Sequence, residues 1–115
     1  MKPKVLIADK MSDTGIEFLE KKCSVTVKTG MSEDELVKEI PKYDAMIVRS
    51  ATKAPRRVIE AAKKLKIIAR AGVGVDNIDR EAATQAGIVV VNSPTGNILA
   101  AAELAVAHIF SLARN

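Results

Sequence analysis

Three short segments of the chain carry the residue types best suited to binding chemistry. They are Arg49-Ser50, then Ala71-Gly72-Val73-Gly74, and then residues 92–97, which end at Asn97. An arginine guanidinium is a planar fork that matches a carboxylate or phosphate, and an asparagine amide adds an uncharged donor and acceptor. Glycines permit a sharp turn that brings backbone N–H groups close to an anion. If the segments meet in space, they predict a pocket for a small anionic molecule.

The glycine turn has three interpretations. A dinucleotide-binding loop of the form G-x-G-x-x-G needs a third glycine, but Asn77 occupies that position. Such a loop also needs an acidic residue about 20 positions later, where residues 91–93 read Val-Asn-Ser. The sequence therefore disfavours a dinucleotide loop and leaves open a small-anion site or a purely structural turn.

The other candidates have structural interpretations as well. Arg49 could form an ion pair with Asp9 or Asp76 instead of binding a ligand. Asn97 suits the start of a helix, since an asparagine side chain can cap the first turn. Asp76 and Asn77 are expected to cap the short helix that follows them rather than to act as an acid or base.

The polar and apolar pattern predicts five strands alternating with five helices. Strands are expected at residues 4–8, 24–28, 45–48, 67–69 and 88–91, and helices at residues 12–22, 32–40, 55–65, 79–85 and 97–113. Ser32 and Glu35 form a capping box, Pro41 ends its helix, Pro55 suits a first helical position, and Gly87 closes the fourth helix. This alternation predicts an α/β fold, a flavodoxin-like doubly wound parallel sheet of order 2-1-3-4-5. Because ligands bind outside the carboxyl ends of such strands, the three segments are expected at one rim.

Composition narrows the class of protein. With 115 residues, 48% of them hydrophobic and 28% charged, the chain suits one globular domain. We expect no membrane span or export signal, and the single cysteine, Cys23, fits a reducing, cytoplasmic compartment and an inert buried role. One cysteine and one histidine, His108, exclude a zinc site built from these side chains. The net charge is +4 with only 3% aromatic residues, so we expect no nucleic-acid partner.

The last predicted helix, residues 97–113, is apolar on nearly all sides. A helix of that kind needs burial all round, which is more than the five strands and their helices can supply. We therefore expect a long apolar helix that contacts a second copy of the chain in a homodimer, and a chain that is a fragment of a larger protein. His108 is expected to pack there rather than to catalyse. The residues expected in the contact are Ile98, Leu99, Val106, Ile109 and Phe110.

The three segments and their neighbours resemble one known family. The motifs are Val48-Arg49-Ser50-Ala51-Thr52, residues 70–79 (Arg-Ala-Gly-Val-Gly-Val-Asp-Asn-Ile-Asp), and residues 92–97 (Asn-Ser-Pro-Thr-Gly-Asn) leading into Ala101-Ala102-Glu103-Leu104. In this order the whole chain resembles the amino-terminal part of the D-2-hydroxyacid dehydrogenases. Within that family the nearest resemblance is to the branch that acts on 3-phosphoglycerate.

The resemblance implies a substrate-binding domain at residues 1–96 and, at residues 97–115, the first helix of a nucleotide-binding domain. It places Arg49 and Ser50 beside a substrate such as 3-phosphoglycerate or 3-phosphohydroxypyruvate. It places the backbone of residues 71–74 on the substrate carboxylate and Asn97 at the cleft between the domains. The cofactor implied is NAD, but the family's nucleotide fingerprint and its catalytic arginine, glutamate and histidine all lie beyond position 115. No catalytic, cofactor-binding or metal-binding residue is therefore expected here, and the chain alone is expected to be inactive.

The sequence departs from the family pattern at one position, and one alternative function stays open. Some phosphoglycerate enzymes have a second arginine where this chain has Ala51, so phosphate recognition would depend on Lys53 or a partner subunit, or be absent. The alternative is a free-standing, flavodoxin-like binding or signalling module. A phosphoacceptor module would need an aspartate after strand three and paired acids after strand one, whereas Arg49 follows strand three and Asp9 stands alone.

Overall fold

The computed structural model describes residues 2–10, 13–71, 77–93 and 98–113, and these form five strands and five α-helices. The strands are β1 (Lys4–Ile7), β2 (Ser24–Val27), β3 (Ala45–Val48), β4 (Ile67–Ala71) and β5 (Val89–Ser93). The helices are α1 (Asp13–Glu20), α2 (Glu33–Glu39), α3 (Arg56–Ala61), α4 (Arg80–Gln85) and α5 (Ile98–Ala113), with a 3₁₀ turn at Ile40–Lys42.

The strands form a single parallel sheet in the order β2-β1-β3-β4-β5, which confirms the predicted topology. Successive side chains of a strand point to opposite faces, and here both faces are buried. In β1, Leu6 packs on one face while Val5 and Ile7 pack on the other. The edge strand β2 is half-exposed, as its alternating pattern predicted.

Helices cover both faces of the sheet. Helices α2, α3 and α4 pack on one face, where Leu36, Ile59 and Ala83 meet residues of the central strands. Helices α1 and α5 pack on the other face, through Leu19 and a row of small and branched residues of α5. Each fully buried aliphatic side chain stabilises such a layer by about 1.5–3 kcal/mol. The two layers hold the strand ends rigidly in register.

Local signals in the sequence are mostly confirmed. Ser32 and Glu35 form the capping box, and α2 gives way to the 3₁₀ turn that contains Pro41. Gly87 follows α4 with a φ of +76°, a conformation that L side chains rarely adopt. Pro55 lies one residue earlier than expected: it precedes α3, and its carbonyl accepts hydrogen bonds from Val58 and Ile59.

The predicted cap of α4 was wrong. The side chain of Asp79 accepts a hydrogen bond of 2.9 Å from the N–H of Ala82, and so Asp79 is the cap. Asn77 lies too early in the chain to reach the first turn and bonds elsewhere, as shown below. Asp76, the other residue predicted to cap, lies outside the described residues.

The prediction of a long helix that is apolar on every side was also wrong. Helix α5 has 16 residues, and its described side chains divide into two faces. Ala102, Ala105, Val106 and Ile109 are buried against the sheet, whereas Leu104 and Phe110 are 36% and 43% exposed. Alanines allow the helix to lie close to the strands, so the chain itself covers the whole inner face.

Candidate functional site

The loop at the carboxyl end of β3 is held by an acidic residue from the neighbouring strand. Asp9 lies just beyond β1 and is 6% exposed. One of its carboxylate oxygens accepts hydrogen bonds from the backbone N–H groups of Arg49, at 2.6 Å, and Thr52, at 3.1 Å. Its other oxygen accepts a hydrogen bond from the Thr52 hydroxyl. Both carboxylate oxygens of Asp9 are therefore engaged in holding residues 49–52.

The same loop is held from its other side by an amide. The Nδ2 group of Asn77 donates to the carbonyl of Arg49 at 2.8 Å and to the carbonyl of Thr52 at 2.6 Å. The backbone next to Asn77 adds a short parallel bridge, in which Ala54 N–H bonds to the Asn77 carbonyl at 2.7 Å. Asp9 thus accepts hydrogen bonds from the N–H groups of Arg49 and Thr52, and Asn77 donates hydrogen bonds to the carbonyls of the same two residues. We call this arrangement the Asp9–Asn77 clamp.

The clamp positions Arg49 and Ser50 without occupying their side chains. Both residues are exposed, and Asp9 bonds to the backbone of Arg49 rather than to its guanidinium. Of the ion pairs within the described residues, none involves Arg49. Its Nη1 group makes one long contact, 3.4 Å, with the carbonyl of Lys10. The alternative in which the Arg49 guanidinium pairs with Asp9 is therefore excluded, whereas Asp76, the other acid considered, lies outside the described residues. Among the described residues, no carboxylate occupies the guanidinium.

Strands β4 and β5 end beside this loop. Val48 is in register with Arg70, and Arg70 with Asn92, so that Arg49 and Ala71 lie one residue beyond neighbouring strand positions. Ala71 is 6% exposed. Among the described residues, the buried Oδ1 atom of Asn92 has no hydrogen-bond partner. The sheet order thus brings Arg49, Ser50 and Ala71 to one rim, as predicted. Gly72, Val73, Gly74 and Asn97 lie outside the described residues.

A small cavity adjoins the clamped loop. It has a volume of about 200 Å³ and lies between the start of α2 and residues 51–53. Lys53 is exposed at its edge, and Glu33 contributes a negative charge that Arg57 partly neutralises at 2.8 Å. This is the place in the described rim where a substituent of a bound anion could extend past Ala51.

Sequence reasoning missed the clamp itself. Asp9 was considered as a partner of Arg49, Asn77 as a helix cap, and Thr52 was given no role. A signal was available: a carboxylate directly after a buried strand must find donors, and strand order places the loop after β3 beside it. The same geometry removes the phosphoacceptor interpretation, because Asp9 is buried and both of its oxygens are bonded.

The remaining titratable groups of note are structural. Cys23 is buried, and this burial raises the pKa of its thiol, which is the inert behaviour predicted. Glu39 accepts hydrogen bonds from Tyr43, Lys28 and Lys42, which lower the pKa of its carboxyl to about 2. His108 is half-buried on α5. No cluster of metal-binding side chains, and no helix fit to cross a membrane, occurs in the part of the chain that the structure describes.

Comparison with known proteins gives one consistent match. The family model for the catalytic domain of D-isomer specific 2-hydroxyacid dehydrogenases matches residues 5–113. A D-3-phosphoglycerate dehydrogenase of Archaeoglobus fulgidus is 57% identical over 112 residues, which are 96% of this chain and 21% of that protein. A chloroplastic D-3-phosphoglycerate dehydrogenase of Arabidopsis thaliana is 46% identical over 99% of this chain and 18% of its own length.

Solved structures agree with the sequence relatives. An NAD⁺-bound 3-phosphoglycerate dehydrogenase of Entamoeba histolytica superposes with a TM-score of 0.73 and 34% identity, covering 80% of this chain and 33% of that one. A protein of Pyrococcus horikoshii superposes with a TM-score of 0.79 and 40% identity, covering 81% and 28%. The chain thus spans about a fifth of the length of the curated relatives it matches.

Proposed function

The chain belongs to the D-isomer specific 2-hydroxyacid dehydrogenase family, and from that premise we propose that it is the amino-terminal part of an NAD-dependent D-3-phosphoglycerate dehydrogenase of serine biosynthesis. In this proposal residues 1–96 belong to the substrate-binding domain, and residues 97–115 form the first helix of the nucleotide-binding domain. The part present here would bind the anionic end of 3-phosphoglycerate or 3-phosphohydroxypyruvate. The single buried cysteine suits a cytoplasmic enzyme.

The observation that carries the proposal is the Asp9–Asn77 clamp. Four backbone groups of residues 49–52 are bonded to two side chains, so the loop is held before any ligand arrives. Preorganisation of this kind lowers the cost of ordering a site on binding. The clamped loop presents an exposed guanidinium and an exposed hydroxyl at the carboxyl ends of parallel strands, where α/β folds bind their ligands.

The chemistry of the rim suits a 2-hydroxy or 2-keto acid. Arg49 would form a bidentate pair with a carboxylate or phosphate, and Ser50 would donate to or accept from the neighbouring oxygen. In this proposal the backbone N–H groups of residues 71–74 hold the carboxylate, with Asn97 at the mouth of the cleft. Lys53 would meet the phosphate at the small cavity. In this proposal these groups bind and orient the substrate, and the proton is exchanged by the part of the enzyme that follows position 115.

The residues present do not fit a dinucleotide. The position of a third glycine is occupied by Asn77, whose Nδ2 group gives both of its hydrogens to the clamp. Strand β5 ends in Asn92 and Ser93, which offer no carboxylate for a ribose. NAD would therefore be bound by another part of the enzyme.

Amide shifts of the labelled chain test the proposed site directly. Addition of 3-phosphoglycerate should shift Arg49, Ser50, Gly72 and Gly74, and should do so at lower concentration than lactate. Arg49→Gln should weaken binding about tenfold, the worth of a charge-assisted hydrogen bond. Lys22→Gln removes the same charge from an exposed position away from the rim and should leave binding unchanged. Equal weakening by the two variants would mean that only net charge is sensed.

A turnover assay tests whether this chain binds substrate without catalysing the reaction. Since the resemblance places the family's catalytic arginine, glutamate and histidine beyond position 115, the purified chain should not oxidise NADH with 3-phosphohydroxypyruvate. A rate above that of a buffer control would place catalytic groups within these 115 residues and refute this part of the proposal.

We propose further that the exposed face of α5 forms a homodimer contact. Among the described side chains of that helix, Leu104 and Phe110 are the exposed large apolar ones. Val106 and Ile109, which were predicted to reach a partner, are buried in their own chain. The side chains of Ile98 and Leu99 lie outside the described residues. Phe110→Glu should reduce the sedimentation coefficient to that of a monomer. The control Val27→Glu, on an exposed position of β2, should leave the dimer intact, and a dimeric Phe110→Glu protein would exclude this contact.

A further inference from the structure

A second concave site lies at the opposite edge of the sheet, where the strands begin. It is a cavity of about 430 Å³, within the size range of small-molecule sites. We call it the lysine cavity, and its lining consists of Lys2, Pro3, Lys4, Lys42, Asp44, Lys64, Lys66 and Ile109. Lys4 is the first residue of β1, and the others precede β1, β3 or β4 or lie on α5. The cavity is therefore separated from the Asp9–Asn77 clamp by the length of the strands.

The base of the lysine cavity is fixed by backbone hydrogen bonds. Asp44 N–H donates to the carbonyl of Lys4 at 2.8 Å, and Lys66 N–H donates to the carbonyl of Asp44 at 2.8 Å. The Asp44 carboxylate also accepts the N–H of Lys4 at 2.9 Å. Ile109, which is 2% exposed, closes the cavity from the α5 side. Three neighbouring strand starts therefore hold Lys4, Asp44 and Lys66 side by side.

The charge of the cavity is unbalanced. Five lysines and one aspartate line it, which leaves four net positive charges, equal to the net charge of +4 of the whole chain. Lys42 has an ion-pair partner, Glu39 at 3.4 Å. Among the described residues, no ion pair involves Lys2, Lys4, Lys64 or Lys66. With the charge of Lys42 offset by Glu39, the four other lysines and Asp44 leave three net positive charges in the lysine cavity.

Such a concentration of like charges costs folding energy by self-repulsion and attracts an anion. Pro3 and Ile109 are the apolar residues of the lining, which contains no aromatic side chain, so we expect a ligand to be recognised by charge rather than by stacking. Lysine ammonium groups are compact point charges on flexible stems, which suits phosphate oxygens spaced along a chain. A single phosphate can meet only some of them.

We propose that the lysine cavity binds an oligophosphate, a compact anion carrying three or more negative charges, either free or as the phosphate chain of a nucleotide. The site is separate from the proposed substrate site and does not depend on the function proposed above. Because 3-phosphoglycerate also carries a carboxylate and a phosphate, the test must locate where each ligand binds. Oligophosphate should shift the amides of Lys4, Asp44 and Lys66, whereas 3-phosphoglycerate should shift those of Arg49 and Ser50.

Calorimetric titration of the full chain measures the affinity. Tripolyphosphate should bind more tightly than orthophosphate, and its affinity should fall with added NaCl. If ATP binds with the same affinity as tripolyphosphate, the site recognises the phosphate chain alone. If ATP binds more tightly, the ligand is a nucleotide. The double variant Lys64→Gln with Lys66→Gln should weaken tripolyphosphate binding about tenfold, the worth of two exposed charge pairs.

Two control substitutions make the result specific. Lys21→Gln with Lys38→Gln removes the same two charges from exposed positions outside the cavity and should change affinity less than about twofold. Asp44→Asn removes the negative charge of the cavity while its amide oxygen can still accept the Lys4 N–H, and it should tighten binding about two- to fivefold. Equal losses in the two double variants, equal binding of orthophosphate and tripolyphosphate, or unchanged affinity in Asp44→Asn would overturn the proposal. Thermal melts check that each variant is folded.

Discussion

Replacement of Asn77 by aspartate distinguishes two roles for this residue: the clamp seen in the structure and the helix cap expected from the sequence. At a helix cap, aspartate and asparagine are nearly equivalent, so a capping Asn77 would tolerate Asn77→Asp. In the clamp, the Nδ2 group donates to two carbonyl oxygens at 2.8 and 2.6 Å. A carboxylate has no hydrogen to donate and would face both oxygens with a negative charge. The same substitution is therefore neutral in one case and damaging in the other.

The expected magnitudes follow from the two bonds. A neutral hydrogen bond contributes about 0.5–1.5 kcal/mol net, so Asn77→Ala should lower the free energy of unfolding by about 1–3 kcal/mol. Asn77→Asp loses the same bonds and adds electrostatic repulsion, so it should cost about 1 kcal/mol more than Asn77→Ala at pH 7. The true cap provides a matched control: Asp79→Asn should change stability by less than about 0.5 kcal/mol.

Urea denaturation at pH 7 and pH 3 measures these differences. The folded state disfavours the carboxylate of Asn77→Asp, so its pKa is raised above the unfolded value and its penalty is present at pH 7. As the pH falls through this raised pKa, the protonated carboxyl regains one donor, so the penalty should shrink and be smallest below the unfolded pKa of about 4. Amide shifts of Arg49, Ser50 and Thr52 should report the loosened loop. An Asn77→Asp protein as stable as wild type at pH 7, with these shifts unchanged, would refute the clamp.

Two further predictions concern stability away from the site. The pKa of Glu39 is lowered from 4.5 to about 2, so the contribution of its carboxylate to stability is complete above pH 4.5 and is lost as the pH falls towards 2. Glu39→Gln should therefore lower the free energy of unfolding by about 1–2 kcal/mol at pH 7, a figure reduced for the solvent screening of its exposed lysine partners. At pH 2 the same substitution should cost almost nothing, and urea titration at both pH values measures the difference. Gly87→Ala places a Cβ in open space but at a φ of +76°, so it should lower the free energy of unfolding by about 1 kcal/mol through backbone strain alone, and an unchanged urea midpoint would contradict that reasoning.

The sequence by itself determined the sheet. Apolar runs such as residues 45–48 mark strands that are buried on both faces, and short links between alternating strands and helices permit few right-handed arrangements. The order β2-β1-β3-β4-β5 and the shared rim of Arg49 and Ala71 followed from these local facts. Capping at Ser32 and the left-handed turn at Gly87 were equally local, because each depends on residues within one or two turns of the chain.

Only the tertiary structure decided what Asp9, Thr52 and Asn77 do. Their hydrogen bonds join residues 25 to 43 positions apart, and polar side chains in loops satisfy several local patterns equally well. The same limit applied to α5, whose sequence does not reveal that the sheet covers Val106 and Ile109 while leaving Phe110 exposed. It applied also to the lysine cavity, since Lys4, Lys42 and Lys66 are ordinary surface residues until parallel strands place their starting points together. Periodicity encodes which side of an element is buried, but only packing determines which distant groups meet.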